Sequence, residues 1–225
     1  MLKDIITKNK DKINEIMKAL SYCNFDNLDY ENFESTLIYD FINNYAKPVD
    51  YASGASKGVL IFKNLGFVIK IPFTYCDGCE LSGADESEYS WDYCDQEITR
   101  YEMAIDAGVE DAFLEIQFFD YINGYPIYIQ PYANIIENIT DIEYKTLHNS
   151  SEARDAEFIR NVDKVENYSW LDSSWEADLY VIFGITFYRK FKMFLRENSI
   201  DDLTSNNIGY VGKNPVLIDY AGFNS

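Results

Sequence analysis

The last part of the chain carries three polar side chains whose types and spacing could do chemistry. Asp202 and Asn207 lie five residues apart in the loop-like stretch IDDLTSNN, and Asp219 comes twelve residues later, after the apolar run 215–218. Carboxylate and amide oxygens are the hard ligands that Mg²⁺ takes. A hairpin pattern separates Asn207 from Asp219. This order of features is specific, and we expect these three side chains to form a site.

A second group of candidate residues lies in the first half of the chain, in SGASKGV (residues 53–59). Glycines at 54 and 58 would let backbone N–H groups come close to phosphate oxygens, with Ser56 between them. The stretch also fits an ordinary hairpin turn, and the sequence leaves both interpretations open.

Lys70 lies in the strand-like segment VIKIPF, where it points either to solvent or into a site. The helix predicted next along the chain carries two candidate partners, Glu97 and Glu102. Because they are five residues apart on a helix, only one of them can face Lys70. We prefer Glu97.

In this order, the stretches resemble the landmarks of the protein-kinase fold, over roughly residues 50–225. SGASKGV resembles the glycine-rich loop, Lys70 the lysine of the third strand, and Glu97 the glutamate of the following helix. DLTSNN resembles the catalytic loop, and IDYAG (218–222) resembles the metal-binding Asp-Phe-Gly segment. YIQPYA (128–133), which contains Gln130 and Tyr132, resembles the hinge between the two lobes.

The resemblance implies an ATP- and Mg²⁺-dependent phosphotransferase. Lys70 would bind the phosphates and Glu97 would hold it in position, while Asn207 and Asp219 would bind Mg²⁺. Asp202 would accept the proton of an attacking hydroxyl or orient it. The other residues implied in nucleotide binding are Gly54, Ser56, Gly58, Gln130 and Tyr132.

The sequence also departs from the kinase pattern. Ile200 and Asp201 stand where active kinases usually have His and Arg, so Ile200 can support the loop only by packing. After IDYAG there is no activation segment and no Ala-Pro-Glu motif before Ser225. The alternative is therefore a catalytically inactive, kinase-like acidic module that binds a protein partner. Compact kinase-like proteins, including many from bacteriophages, look similar.

Four cysteines raise the question of metal binding. Cys76 and Cys79 have the two-residue spacing of a zinc knuckle, but a second pair is missing. Cys94, Cys23 or the single histidine, His148, would have to complete such a site. We expect ordinary reduced thiols, as in a cytoplasmic protein.

Hydrophobic periodicity indicates the elements that must position these residues. Amphipathic helices are predicted over 2–20 and 31–46, and a further helix is predicted to end at Gly108. The longest helix covers SSWEADLYVIFGITFYRKFKMFLREN, with a Ser173–Glu176 capping box and one apolar stripe. That stripe consists of Leu179, Phe183, Phe187, Phe191 and Leu195.

Three hairpins are predicted from alternating apolar runs that flank glycine-containing turns. Their strands are Val59–Lys63 with Phe67–Phe73, Phe113–Tyr121 with Tyr125–Pro131, and Ile208–Val211 with Val216–Asp219. The fold class is therefore α+β. On the resemblance, it is a two-lobe kinase-like fold with an antiparallel N-lobe sheet and a minimal helical C-lobe. The expected parts are an N-terminal helical extension (1–48), an N-lobe (49–133) and a truncated C-lobe (134–225).

The formal net charge of −19 limits the possible partners. Such a surface repels nucleic-acid phosphates, but it could attract a protein partner with a basic surface. There is no apolar run near 18 residues, and the charged N-terminus does not fit a signal peptide. We therefore expect a nucleotide and a protein as partners, no membrane or nucleic acid, and a cytoplasmic location, which would be the host cytoplasm for a viral protein.

Overall fold

The structure, a computed structural model, describes residues 1–26, 28–54, 56–73, 90–136 and 173–221. These residues form an α+β protein with a five-stranded antiparallel sheet and a three-stranded antiparallel sheet. The chain divides into two compact units. Among the described residues, unit 1 contains 1–98 and 115–132, and unit 2 contains 99–114 and everything from 133 onward.

The five-stranded sheet of unit 1 has the strand order β1-β2-β3-β5-β4. Its strands are β1 (Asp50–Ser53), β2 (Lys57–Phe62), β3 (Phe67–Pro72), β4 (Gln117–Ile122) and β5 (Tyr125–Pro131). The first two predicted hairpins are both present. In the second, Asn123 and Gly124 have positive φ, as the tight turns that suit twisted strands require. β4 begins four residues later than predicted, because Phe113 and Leu114 instead pair with Leu217.

The two faces of this sheet carry different residues. In the β2–β3 and β3–β5 pairs, Val59 lies opposite Lys70 and Val68 lies opposite Gln130. Directly opposed residues share a face, so these four lie on one face together with Lys57, which we call the lysine face. The opposite face carries Leu60, Ile69 and Ile129, which belong to the main hydrophobic core of unit 1. All six residues of β3 are buried.

The N-terminal helices complete that core. They are α1 (Leu2–Lys8), α2 (Lys10–Leu20), α3 (Tyr30–Asn32), a π-helix (Phe33–Ile38) and α4 (Tyr39–Tyr45). The prediction of one helix over 2–20 was wrong, because Asn9 interrupts it: its side chain donates to the Ile5 and Leu65 carbonyls. The prediction of one regular helix over 31–46 was also wrong, since its middle is π-helical.

Helix α5 (Ser90–Ala107) ends where predicted, at Gly108, which has a φ of +66°. Its residues up to Ile98 belong to unit 1 and the rest belong to unit 2.

The longest predicted helix is in fact two helices. α6 (Ser173–Glu197) is broken at Gly184, whose φ of 82° and ψ of 168° are not helical. Glu176 accepts hydrogen bonds from Tyr188 and Lys192. Along a straight helix, Glu176 and Lys192 would be about 24 Å apart. The chain therefore reverses at Gly184, and α6 is a helical hairpin rather than one helix with one apolar stripe.

The small sheet of unit 2 has the order β6-β7-β8. Its strands are β6 (Asn134–Ile135), β7 (Ile208–Val211) and β8 (Asn214–Leu217). The last strand therefore ends before Asp219, which was predicted to be its final residue. Phe113 lies in the core of unit 2, with ring centroids 5.8 Å from Phe191 and 5.1 Å from Tyr220. None of the described helices combines the length and the apolar character that spanning a membrane demands.

Candidate functional site

Lys70 and Glu97 form a buried ion pair on the lysine face of unit 1. Lys70 Nζ lies 2.6 Å from Glu97 Oε2, and the two residues are 3% and 0% exposed. The alternative that Lys70 points to solvent is therefore excluded. Glu102, the rival on helix α5, is exposed. The pairing of Lys70 with Glu97 was predicted; its use in binding phosphates stays a prediction.

A second lysine, which the sequence analysis missed, shares the same carboxylate. Lys57 Nζ lies 2.7 Å from Glu97 Oε1, and Lys57 is only 5% exposed. The register explains this: Lys57 lies opposite Pro72, two residues from Lys70 along β3, and residues two apart share a face. The predicted strand Val59–Lys63 began two residues too late to include Lys57; extended to residue 57, the same alternation would have identified it. We call Lys57, Lys70 and Glu97 the lysine cluster.

Burying these charges is costly. Desolvation of an ion pair often cancels its Coulombic gain, whereas removing one partner costs roughly 3–5 kcal/mol. Apolar residues of similar volume would hold β2, β3 and α5 together equally well. The lysine cluster is therefore a candidate binding site, although the Lys192–Glu176 pair of unit 2 is equally buried.

Backbone hydrogen bonds hold both ends of the connection between β1 and β2. The Gly54 N–H donates to the Lys57 carbonyl (3.0 Å), and the Ser56 carbonyl accepts from the Phe73 N–H (2.9 Å). A Cβ placed on Gly58 would lie 2.1 Å from the Phe33 ring. Packing against the π-helix therefore explains glycine at position 58 without any ligand. Contacts from this turn to a nucleotide stay a prediction.

The residues predicted for the hinge lie at the end of β5. Gln130 is fully buried on the lysine face. The Tyr132 N–H donates to the Gly66 carbonyl (2.9 Å), so a contact from Tyr132 to a base would need another group. Nearby, the Tyr128 hydroxyl donates to Asp95 (2.8 Å). Burial, and then this bond to a carboxylate, raise the pKa of Tyr128 well above its ordinary value.

In unit 2, the loop from Asp202 to Asn207 closes on itself. The Asn207 Nδ2 donates to the Asp202 carbonyl (2.8 Å) and to Asp202 Oδ2 (3.0 Å). Ile200, just before this loop, is 1% exposed, and its support of the loop by packing stays a prediction. Asp202 and Asn207 are both half-buried.

The segment that contains Asp219 is tied to this loop. The Asn207 carbonyl accepts from the Ile218 N–H (2.7 Å) and from the Asp219 N–H (3.4 Å). On the other side, Arg100 Nη1 donates to the Tyr220 carbonyl (2.8 Å). The three polar residues predicted at the end of the chain, Asp202, Asn207 and Asp219, are therefore brought together. Arg100, which the sequence analysis did not single out, holds the residue after Asp219.

No model of a known protein family matches this chain. No curated protein matches it in sequence either. The geometry of the lysine cluster, and that of Asp202, Asn207 and Asp219, is therefore the basis for assigning a function.

The residues of unit 2 suit Mg²⁺ better than a metal ion that is coordinated by protein side chains alone. Within the described ranges, no group of three or more His, Cys, Asp and Glu side chains could hold a metal ion. Mg²⁺ does not need such a group, since it is usually held by one or two carboxylates plus water and substrate phosphates. The Asn207 amide nitrogen donates to Asp202, which leaves its amide oxygen as the atom that Mg²⁺ binding would use.

The zinc alternative concerns Cys76, Cys79 and His148, which lie outside the described residues. The other two cysteines, Cys23 and Cys94, are buried. The Cys23 thiol donates to the Ala19 carbonyl (3.4 Å), a contact of an ordinary core thiol.

Proposed function

We propose that this chain is an ATP- and Mg²⁺-dependent phosphotransferase resembling a minimal protein kinase. The observation that carries the proposal is the buried Lys70–Glu97 pair, with its Nζ–Oε2 distance of 2.6 Å. Its lysine lies on the third strand and its glutamate on the next long helix, which is the pairing that active kinases need. In the proposed reaction, Lys70 binds the phosphates of ATP and Glu97 keeps the ammonium group in position.

The loop residues of unit 2 supply the remaining roles. Asn207 and Asp219 hold Mg²⁺, which neutralises charge on the phosphates. Asp202 orients the accepting hydroxyl and takes its proton, while the γ-phosphoryl group moves from ATP to that oxygen and ADP leaves. The hydrogen bonds from Asn207 to Asp202, and those it receives from the Asp219 segment, support a shared task for these residues.

The charge of the protein makes binding metal-dependent in this proposal. ATP is a polyanion, and the formal net charge of the chain is −19. Mg²⁺ relieves the repulsion between Asp219 and the phosphates, so ATP without a divalent ion binds weakly.

A thermal-shift titration tests the binding step. With Mg²⁺ and ATP at about 100 times the dissociation constant, we expect a stabilisation of roughly 2.7 kcal/mol. Asp219→Asn should remove most of it, because an amide is a weaker metal ligand than a carboxylate. The matched control is Asp201→Asn, an exposed residue beside the loop, which should keep the full shift. Absence of any shift in the wild type with ATP, GTP or ADP and Mg²⁺ or Mn²⁺ would end the proposal.

A transfer assay with γ-labelled ATP tests the chemical step. The wild type should label itself or an added protein, since the acceptor is a hydroxyl-bearing protein in this proposal. Asp202→Asn should bind Mg·ATP almost as the wild type does and transfer nothing. The Lys70→Met and Asp219→Asn variants should be combined as well. A non-additive loss would show that Lys70 and Asp219 act on one ligand, and a single variant that binds ATP like the wild type would remove its residue from the site.

The acidic charge favours a second candidate, a non-catalytic module that binds a protein with a basic surface. Such a module needs neither Mg²⁺ nor Asp202. If Mg·ATP binds but no label is transferred, or if no nucleotide binds at all, this candidate replaces the enzyme.

A further inference from the structure

We infer that Lys57 is a second phosphate-binding residue, which acts together with Lys70 on the phosphates of the nucleotide. This inference rests on the proposed function, because it concerns the same nucleotide. Lys57 belongs to β2 rather than β3, so the established role of a third-strand lysine does not include it.

Lys57 and Lys70 are placed symmetrically around Glu97. Each ammonium group takes its own oxygen of one carboxylate, at 2.7 Å for Lys57 and 2.6 Å for Lys70. The two side chains therefore converge from neighbouring strands onto one point of the lysine face. Whatever Glu97 does to position Lys70, it does equally for Lys57.

The backbone at Lys57 is held firmly in its strand. It is the first residue of β2, and its carbonyl accepts the Gly54 N–H that closes the β1–β2 turn. On the opposite face of the sheet, the Phe33 ring fills the space beside the neighbouring Gly58. The backbone at 57–58 is thus fixed both by the turn and by packing. This rigidity suits a residue that must present a charge at a set place.

The chemistry of lysine suits phosphate binding. Lysine is a compact point charge that binds phosphate oxygens without a fixed bidentate geometry. Two such charges already share the two oxygens of the Glu97 carboxylate, so they can share the oxygens of a nucleotide's phosphates in the same way.

The most direct experiment needs no variant. An ATP analogue with an acyl group on its terminal phosphate transfers that group to lysine amines that lie near the phosphates, and ATP is released. After treatment of the full wild-type chain with Mg²⁺ present, mass spectrometry should find both Lys57 and Lys70 acylated. Excess ATP should prevent both modifications. Acylation of Lys70 alone would overturn the inference and leave the proposed function standing.

Variants give the second measurement. Lys57→Met should weaken binding of Mg·ATP and Mg·ADP at least tenfold, while Lys57→Arg should restore most of it. The matched control is Lys192→Met, which removes an equally buried lysine from its pair with Glu176 in unit 2. That control should lower stability without weakening the binding of Mg·ADP or Mg·ATP.

The outcomes separate the two proposals. If the wild type binds Mg·ATP and Lys57→Met binds it equally well, Lys57 is structural and the inference fails. If Lys57→Met does not fold, acylation of the wild type decides alone. If the wild type binds no nucleotide and the analogue modifies neither lysine, the proposed function fails and the inference fails with it.

Discussion

At the scale of single residues, the structure gives a packing reason for glycine at position 58. The sequence places it in a stretch that resembles a phosphate loop, but the structure puts the Phe33 ring where a side chain would begin. Glycine is therefore needed at this position because an aromatic ring from the N-terminal π-helix approaches the strand, whether or not a nucleotide binds. Gly54 in the same stretch has open space around it.

This contrast predicts opposite results for two similar substitutions. Gly58→Ala should lower the free energy of unfolding by roughly 1–3 kcal/mol, since overpacking forces the Phe33 ring to move. Gly54→Ala should change it by less than about 0.5 kcal/mol. Urea unfolding measures both. In the double variant Phe33→Ala/Gly58→Ala, the two losses should be less than additive. Full additivity would show that the ring and the glycine do not compete for space.

Cys23 gives a prediction about pH. Burial raises the pKa of its thiol from 9.0 to about 12. A raised pKa in the folded state means that the contribution to stability is complete below the unfolded pKa and is lost as pH rises through the interval from 9 to 12. The wild type should lose about 1.4 kcal/mol per pH unit within this interval on account of Cys23.

The comparison that isolates this effect is wild type against Cys23→Ala, unfolded with urea under reducing conditions. The substitution leaves a small cavity whose cost does not depend on pH. The advantage of the wild type over Cys23→Ala should therefore shrink between pH 8 and pH 10. A constant difference would mean that the thiol ionises as easily in the folded chain as in the unfolded one.

At the scale of elements, α6 shows how a periodic pattern can mislead. Apolar residues at every fourth position from Leu179 to Leu195 predict one stripe, and Gly184 is only a weak warning because a helix tolerates a single glycine. The decisive information is the contact of Glu176 with Tyr188 and Lys192. Those partners lie 12 and 16 residues away, and no local rule connects them.

The sign of one substitution tests the helical hairpin. In a straight helix, Gly184→Ala would stabilise the protein by about 1 kcal/mol. At a φ of 82° and a ψ of 168°, only glycine is comfortable, so the same change should destabilise it by roughly 1–3 kcal/mol. Thermal or urea unfolding decides between the two. A gain in stability would restore the single helix.

Arg100 gives a second prediction at this scale. Its guanidinium group donates to the carbonyls of Tyr220 (2.8 Å) and Asn198 (3.3 Å), so it fixes the backbone directly after Asp219. If Asp219 binds Mg²⁺, Arg100→Met should raise the Mg²⁺ concentration needed for half-maximal stabilisation by ATP several-fold. Arg100→Lys should lie between that variant and the wild type. An exposed arginine, Arg189→Met, serves as the control. An unchanged Mg²⁺ requirement would reduce Arg100 to a purely structural residue.

The turns and the β-hairpins could be predicted because their signals are local. Asn123-Gly124 and Gly108 adopt the positive φ that their residue types allow, and the neighbouring elements end there. The Lys70–Glu97 contact could be predicted only with the help of a family resemblance. Lys57, Arg100 and Phe33 were missed because their roles depend on register or on contacts across more than 20 residues.

At the scale of the whole molecule, the formal net charge of −19 is the dominant electrostatic feature. Self-repulsion of like charges favours the unfolded chain, and salt screens it. Raising NaCl from about 0.01 M to about 0.15 M shortens the Debye length from about 30 Å to about 8 Å, so the melting temperature should rise. Choline chloride should act in the same way if screening is the cause. A fall in melting temperature would show that surface ion pairs, such as Lys47 with Glu15, outweigh the repulsion.

The interleaved make-up of unit 1 has a consequence for how the protein is made. The ribosome releases the N-terminal helices first, yet the core that covers Leu20 and Phe41 includes Ile127 and Ile129 of β5. At about 5–20 residues per second, the helices wait roughly 4–17 s for that strand. During this interval their apolar side chains lack the part of the core that β5 supplies, which makes the nascent chain a natural client for chaperones. Synthesis slowed between codons 46 and 131 should therefore increase aggregation of the product, whereas slowing after codon 131 should not.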